Sequence, residues 1–322
     1  MHDLILIVGL NWIGDAIMSM PAIQACRNEN PNAHIALLTK PYLKPLWEMH
    51  AVPDEIQGLD NIFPTVGNLR RGTFSKALIL PNSFRSAYLP TLAGIRQRIG
   101  LQGKLRKAML TKVVPLSGGH QANEYFPILA PASVGKPHEL PSLKIPYSAF
   151  QSLAGKTSDV ENYAVLMPGA ARGASKMWSV KHFEALAEQL LSATDLSLVF
   201  AGGTGDSEVC EELSSRLGNK AMSVAGKTSL QEWAALLKRS KVAVANDSGG
   251  MHLAGAVGAP VVGIYGITDP EKTGPLAKSF RVIQNSSVKA RDISRDSDEA
   301  RAALESIAPG QVFDAVVDLL KQ

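Results

Sequence analysis

The sequence predicts an α/β protein built from two doubly wound domains. Three observations carry that expectation. Strand-like and helix-like patterns alternate along the chain, and they do so twice. The length, 322 residues, exceeds one domain at about 100–200 residues each. The balance of 45% apolar and 19% charged residues supplies enough apolar material for two cores without long polar runs. The expected halves are residues 1–150 and 151–322. In open sheets of this kind ligands sit beyond the carboxyl ends of the strands, which places the expected active site in a cleft between the halves.

In the first half, Leu4–Gly9 is a short continuous apolar run and reads as a buried strand. A helix is expected from about Asp15 to Asn28, with Pro21 restarting or kinking it. Ile35–Leu38 and Ala77–Leu80 are further strands. The latter leads through Pro81-Asn82-Ser83 into a helix containing Tyr88 and Leu92. Gly- and Pro-rich sequence from Leu116 to Pro146 thins the periodicity, and Pro141–Gly155 reads as the join, with a short helix over Tyr147–Leu153.

The second half alternates more cleanly. Strands are expected at Tyr163–Met167, Leu196–Ala201, Ala221–Val224, Val242–Ala245 and Pro260–Tyr265. Helices are expected at Lys181–Leu191, Glu208–Leu217, Leu230–Leu237 and Gly249–Val257. Two more helices, Asp298–Ser306 and Gln311–Leu320, flank Pro309-Gly310.

Cys26 and Cys210, the only two cysteines, sit in helical patterns and read as small buried apolar groups, which points to a reducing cytoplasm. The longest early apolar run falls far short of the roughly 20 residues that cross a bilayer, and it runs straight into a motif rather than a signal-peptide cleavage site. Charge is uneven. Residues 1–150 carry 15 Lys/Arg against 9 Asp/Glu, and residues 151–322 carry 18 against 20. Between Asn61 and Asn123 there is no acid, while Arg70, Arg71, Lys76, Arg85, Arg96, Arg98, Lys104, Arg106, Lys107 and Lys112 all occur. This is either a solvated basic face or a surface for an anionic partner. With no nucleic-acid motif and few interleaved aromatics, a phosphorylated lipid or membrane surface ranks above nucleic acid.

Four strand-to-helix turns could carry chemistry. Gly9-Leu10-Asn11-Trp12-Ile13-Gly14-Asp15 has the glycine spacing of a phosphate loop, but Asp15-Ala16 replaces the required Lys-Ser/Thr, and a carboxylate there repels phosphate. Asp15 is then either a helix cap or a carboxylate facing a ligand. Pro168 to Trp178 combines small residues with Arg172 and Lys176, and is either a loop suited to an anion or a surface loop with two solvated cations. Ala201-Gly202-Gly203-Thr204-Gly205-Asp206 is an incomplete dinucleotide fingerprint, since Glu208 replaces its third glycine. Asn246-Asp247-Ser248-Gly249-Gly250-Met251-His252 opens a helix whose free N–H groups suit a pyrophosphate. Asp247 as a cap and His252 as a core histidine are the plain alternatives. Asp296-Ser297-Asp298 has a D-x-D form, but it precedes a helical run and reads better as a cap. No metal-ligand spacing is found, so no metal is expected.

Together these segments resemble glycosyltransferase family 9, the lipopolysaccharide heptosyltransferases, and among them the heptosyltransferase II type. The likeness rests on the strand leading to Ile13-Gly14-Asp15 with Pro21-Ala22, the Lys176/Trp178 loop and the Gly202-Gly203 turn. It extends to Gly226-Lys227-Thr228-Ser229-Leu230, Asn246 to Ala254, and Tyr265-Gly266-Ile267-Thr268-Asp269-Pro270. The region after Arg281 lacks a cysteine-containing segment found in many members.

The resemblance implies a GT-B fold of two Rossmann-like domains, an acceptor domain followed by a donor domain. It implies an inverting, metal-independent transfer of heptose from ADP-heptose to the lipopolysaccharide inner core, with no cofactor. Asp15 would be the general base and Lys176 would stabilise the leaving diphosphate. The implied donor residues are Gly14, Ala170, Ala171, Arg172, Lys176, Gly202, Gly203, Thr228, Asp247, Ser248, Gly249, Gly250, Met251 and His252. Asn11, Arg70, Arg71, Arg85, Arg96 and Arg98 would meet the phosphorylated glycolipid acceptor. The enzyme would work in the cytoplasm against the inner membrane. A sugar-nucleotide epimerase of the same fold and a non-catalytic nucleotide-sugar-binding protein are the competing readings.

Overall fold

A computed structural model describes residues 3–103, 105–157, 160–170, 176–286 and 297–322. The chain forms two compact units, Met1–Lys144 and Ile145–Gln322.

The first unit contains β1 (Leu4–Val8), α1 (Ile13–Glu29), β2 (His34–Thr39), α2 (Lys44–Glu48), β3 (Glu55–Gly58) and α3 (Ile62–Arg71). It continues with β4 (Lys76–Ile79), α4 (Phe84–Leu92), β5 (Gln97–Leu101), β6 (Lys112–Val114) and α5 (Phe126–Leu129). Its six strands lie in the order β3-β2-β1-β4-β5-β6, all parallel. The second unit contains α6 (Tyr147–Thr157), β7 (Tyr163–Met167), α7 (Val180–Ala193), β8 (Ser197–Phe200), α8 (Ser207–Arg216), β9 (Ala221–Ser223) and α9 (Leu230–Arg239). Then come β10 (Val242–Asn246), α10 (Gly249–Ala256), β11 (Val261–Ile264), α11 (Pro270–Thr273), β12 (Phe280–Ile283), α12 (Asp298–Glu305) and α13 (Pro309–Leu320). Its parallel order is β12-β11-β10-β7-β8-β9.

The two sheets are wound alike. Each unit's first strand is central, the next two step outward on one side, and the last three on the other. This is the Rossmann order, and it reverses between β1 and β4 and between β7 and β10. Ligands in such sheets bind at the carboxyl end of that reversal.

The central strands were readable because they are apolar throughout and covered on both faces, as β7 and β10 are along their whole length. The strands that the sequence did not announce, β3, β5, β6 and β12, lie at or next to sheet edges and are partly exposed, so their polar residues break the apolar run. Helix α1 is one helix through Pro21, which neither restarts nor ends it. The proline removes one intrahelical donor, and its ring is buried along with its neighbours from Ala16 to Ile23. The units divide after Lys144, before the expected residue 150, because α6 packs on α9 of the second unit. Glu232 on α9 accepts from Ser152 and Lys156 on α6.

The last stretch of the first unit folds back onto α1 and α2. Leu143 bridges to His50, and the Lys144 N–H donates to the Met49 carbonyl at 2.7 Å. Gln24 Oε1 lies 3.3 Å from His50 Nε2 and accepts from the Ser142 N–H at 3.2 Å. His50 is 3% exposed, and burial pushes its pKa down from 6.5 to about 4. A base depressed in the folded state makes folding most stable above its unfolded pKa. That stability is lost as pH falls from about 6.5 toward about 4, by about 3 kcal/mol in all. Urea unfolding of wild type and His50→Gln at pH 7.5, 6 and 5 should show a steeper fall for the wild type; parallel slopes would reject this assignment.

Candidate functional site

The carboxyl edge of the second sheet gathers the residues expected to hold a donor. Lys176 follows β7, and its ammonium pairs with the carboxylate of Asp247 at the end of β10. The two strands are neighbours at the order reversal. The side chains are 15% and 8% exposed, so removing either leaves the other largely desolvated, at a cost of about 3–5 kcal/mol. Lys176 is therefore a held cation rather than a free one. Asp247 is suited to positioning it, since a carboxylate would repel a diphosphate.

Asn246, which sequence reasoning did not single out as a site residue, pins the loop that carries Lys176. It is fully buried. Its amide nitrogen donates to the carbonyl oxygens of Pro168 at 2.7 Å and Gly169 at 3.5 Å. Its Oδ1 accepts from the Trp178 N–H at 3.0 Å, and Trp178 Nε1 donates to the Ile307 carbonyl at 2.9 Å. Both ends of the Pro168–Trp178 loop are thus fixed to the end of β10. The available signal was a polar residue closing the otherwise apolar strand VAVAN.

Helix α10 begins beside this pair. Ser248 stands at its N-cap in extended conformation, but its side chain makes no capping bond. The first-turn N–H groups at Gly249, Gly250 and Met251 thus have no intrahelical partner, and no N-cap side chain serves them. The side chain of Met251 packs against Gly263 in the core, so only its backbone can meet a ligand there. His252 is buried as well. Gly250 admits no side chain: a Cβ would lie 2.6 Å from Met167 Sδ and 2.9 Å from Trp233 Cζ2. Gly250→Ala should displace the start of α10, cost roughly 1–3 kcal/mol, and weaken nucleotide binding more than it lowers Tm would suggest. Calorimetric titration with ADP checks this, and unchanged affinity would count against α10 as the anion site.

The remaining donor candidates follow β7, β8 and β9 along the same edge. Ala170 lies just after β7 and is half-buried. The Gly202 carbonyl accepts from the Gly226 N–H at 3.1 Å, joining the Gly202-Gly203 turn to the turn that carries Thr228. Gly226 adopts φ +70° there, a conformation glycine supplies. The Asp206 carboxylate accepts from the Gly203 N–H at 2.8 Å and lies against Gly169 and Gly202. Sequence reasoning saw Asp206 only as the end of a weak fingerprint. Ala171 and Arg172 lie outside the described residues, as does Asp296. Ser297 caps α12, its Oγ accepting from the Ala300 N–H at 3.2 Å.

Asp15 is on the first unit, at the carboxyl end of β1, beside that sheet's order reversal. It is not the helix cap. Trp12 holds that position, and Asp15 is the third residue of the first turn, where its charge complements the helix dipole. It is half-buried, and its Oδ1 accepts from Gln121 Nε2 at 3.2 Å. Gln121 also donates to the Tyr125 hydroxyl at 2.8 Å. Burial, and then the nearby Asp15 charge, push the Tyr125 phenol up, so it stays protonated. Gln121 and Tyr125 were not foreseen, because they come from the tract where periodicity thins. Gly14 is buried in α1. Asn11 is exposed, and its carbonyl accepts from the Tyr42 hydroxyl.

The acid-free basic segment does not form one surface. In a parallel sheet covered by returning helices, helix ends and strand starts share the amino edge. Arg70 and Arg71 end α3, Arg96 precedes β5 and Arg98 begins it. These four therefore lie at the edge opposite Asp15. Arg70 donates to the Leu92 carbonyl at 2.8 and 3.1 Å, and Arg98 to the carbonyls of Met109, Ile95 and Arg96. Of the five arginines expected to meet the acceptor, only Arg85, in the first turn of α4, shares the edge of Asp15, where it is exposed. Arg106 is wholly buried. It donates to the Pro81 carbonyl, and its Nε and Nη2 have no hydrogen-bond partner among the described residues. Gly100 makes room for it, since a Cβ would lie 2.7 Å from Nη2.

Among the described residues no cluster of three or more His, Cys, Asp or Glu could hold a metal ion, and no helix is long and apolar enough to cross a membrane. Cys26 and Cys210 are free and buried. The chain is 28% identical to lipooligosaccharide heptosyltransferase 2 of Haemophilus influenzae over 354 residues, covering 98% of this chain and 99% of the relative. It is 28% identical to lipopolysaccharide heptosyltransferase 2 of Escherichia coli K12, covering 99% of each. The solved structure of the E. coli ADP-heptose lipopolysaccharide heptosyltransferase II superposes with a TM-score of 0.87 at 27% identity, covering 100% of this chain and 99% of that one. The fold is therefore the GT-B fold of that enzyme. The family model for glycosyltransferase family 9 (heptosyltransferase) matches residues 65–302, and the chain belongs to that family.

Proposed function

We propose that this enzyme transfers heptose from ADP-heptose to the inner core of lipopolysaccharide, with inversion and without a metal ion or other cofactor. The observation that carries this reading is the convergence of Lys176 and the uncapped first turn of α10 at the order reversal of the second sheet. A departing diphosphate needs fixed positive charge and N–H donors, and both are in place before reaction. Asp247 and Asn246 position Lys176. Asp206, in the turn between the second strand of its unit and α8, is the carboxylate on that side suited to a ribose hydroxyl. On the first unit, Asp15 removes the proton from the acceptor hydroxyl as its oxygen attacks the anomeric carbon. The C–O bond to heptose forms, the bond to the diphosphate breaks, and ADP leaves with the electron pair.

The test is incubation with ADP-heptose and truncated lipopolysaccharide acceptors, reading product mass. One added heptose supports the reading. Isomerised nucleotide-sugar without acceptor would favour an epimerase, and binding without turnover would favour a non-catalytic protein. Family membership and the intact Asp15 and Lys176 favour transfer.

The same reading places the enzyme in the cytoplasm, peripherally on the inner membrane. The exposed cations of the first sheet's amino edge, Arg70, Arg71, Arg96 and Lys112, give it an anionic-lipid surface worth about 1 kcal/mol per cation and screened by salt. Sedimentation with anionic vesicles should therefore fall steeply as salt rises. Binding that ignores salt, or that occurs equally on neutral vesicles, would remove this surface from the account.

A further inference from the structure

Large exposed apolar side chains are unevenly distributed. Among the described residues the second unit has only Tyr147, on α6, and Phe280, at the start of β12, and neither is at its carboxyl edge. The first unit places Trp12 after β1, Tyr42 after β2 and Phe84 after β4, exposed by 47%, 57% and 49%. These strands are consecutive in the sheet, in the order β2-β1-β4. Neighbouring strands are about 4.8 Å apart, so the three connections that carry these rings leave the edge side by side, and the middle one leads into Asp15. They are also ordered. The Tyr42 hydroxyl donates to the Asn11 carbonyl next to Trp12. Phe84 stacks on Tyr88 one helical turn later, with centroids 5.8 Å apart and planes at 22°. Singly scattered exposed rings need no explanation, but rings gathered on one edge around a carboxylate do.

Resting on the transfer reading above, we propose that Trp12, with Tyr42 and the Phe84–Tyr88 stack, is a stacking platform for a sugar ring of the acceptor. A pyranose has an apolar C–H face and a rim of hydroxyls. The C–H face carries slight positive charge and suits the negative face of an aromatic ring. The hydroxyl rim suits the exposed polar side chains interleaved with the rings, Asn11, Asn82 and Ser83. Arg85 lies between Phe84 and Tyr88 in sequence, exposed and with no ion pair among the described residues, and it suits a phosphate on that sugar. A bilayer fits this edge less well. Inserting the rings would desolvate the Asp15 carboxylate and the exposed amides of Asn11 and Asn82, and an anionic surface would repel the carboxylate.

The experiment uses the full-length enzyme and a lipid-free, phosphorylated inner-core oligosaccharide. Trp47 and Trp178 are fully buried and Trp233 is half-buried, so acrylamide quenching reports chiefly on Trp12. The oligosaccharide should protect wild-type fluorescence from acrylamide. Trp12→Ala should raise the acceptor KM roughly 3–10-fold with donor affinity unchanged, and Trp12→Tyr should restore most of the loss. Protection without any heptose transfer would leave the platform standing and defeat the transfer reading. Transfer by the wild type with an unaltered acceptor KM in Trp12→Ala would overturn the platform. Protection by acceptor-free anionic vesicles but not by oligosaccharide would overturn it in favour of a membrane contact.

Discussion

Asp15→Asn is expected to slow heptose transfer by roughly 10²–10⁴-fold while leaving donor affinity and stability nearly unchanged. The rate loss is the usual consequence of removing a general base. Stability should hold because Asp15 is not the helix cap, and because the Asn amide oxygen can still accept from Gln121 Nε2, now 3.2 Å from Asp15 Oδ1. The dipole interaction of one charge in the first turn is lost, about 0.3–1 kcal/mol. Single-turnover transfer, ADP titration and thermal unfolding together check this. Near wild-type transfer would put the base elsewhere. A large fall in Tm would make Asp15 a structural residue. Gln121→Ala offers a graded comparison, since it removes one donor to the carboxylate while keeping the carboxylate, and should cost far less.

Lys176→Met should lower turnover by about 10²–10³-fold, the scale for losing one fixed group that stabilises developing charge. Ground-state donor affinity should fall less, because charge accumulates on the diphosphate only as the sugar departs. The ion pair adds a complication that can be separated. With Lys176 gone, the Asp247 carboxylate stays buried without its partner, and the loop it anchors should loosen. The double variant Lys176→Met/Asp247→Asn removes both charges, so it should recover much of the thermal stability and none of the turnover. If the double variant recovers activity as well, Lys176 matters through structure alone. If Lys176→Met loses affinity and turnover equally, its interaction with the diphosphate is already complete in the ground state.

Much of the candidate site is legible in the sequence because each piece is a local event. A strand of apolar residues, then glycines and a charged residue, then a helix, is a pattern of neighbours along the chain. Asp15, Lys176 and the Asp247–Gly250 turn stand out as candidates on that basis. What escaped were residues whose role depends on distant partners. Asn246 is a buried amide whose three partners lie at Pro168, Gly169 and Trp178. Gln121 reaches Asp15 from more than a hundred residues away along the chain, and Tyr125 in turn accepts from Gln121.

The basic segment shows the opposite failure. Counting charge along Asn61–Asn123 treats sequence proximity as spatial proximity. In a parallel sheet the chain crosses from one edge to the other with every strand and helix. Arg70, Arg71, Arg96 and Arg98 consequently fall on the amino edge and Arg85 on the carboxyl edge. The rings of Trp12, Tyr42 and Phe84, far apart in sequence, fall together for the same reason.

The sequence by itself determined that there are two parallel-sheet units, where their central strands run, and which strand-to-helix turns could meet a ligand. Apolar periodicity and turn chemistry are short-range properties. Only the tertiary structure decided the strand order, the edge on which each cation lies, and the pairing that makes Lys176 a held charge. It also settled that α6 belongs with the second unit. Each of these depends on which distant segments bury one another's surface, and that is set by packing across the whole unit.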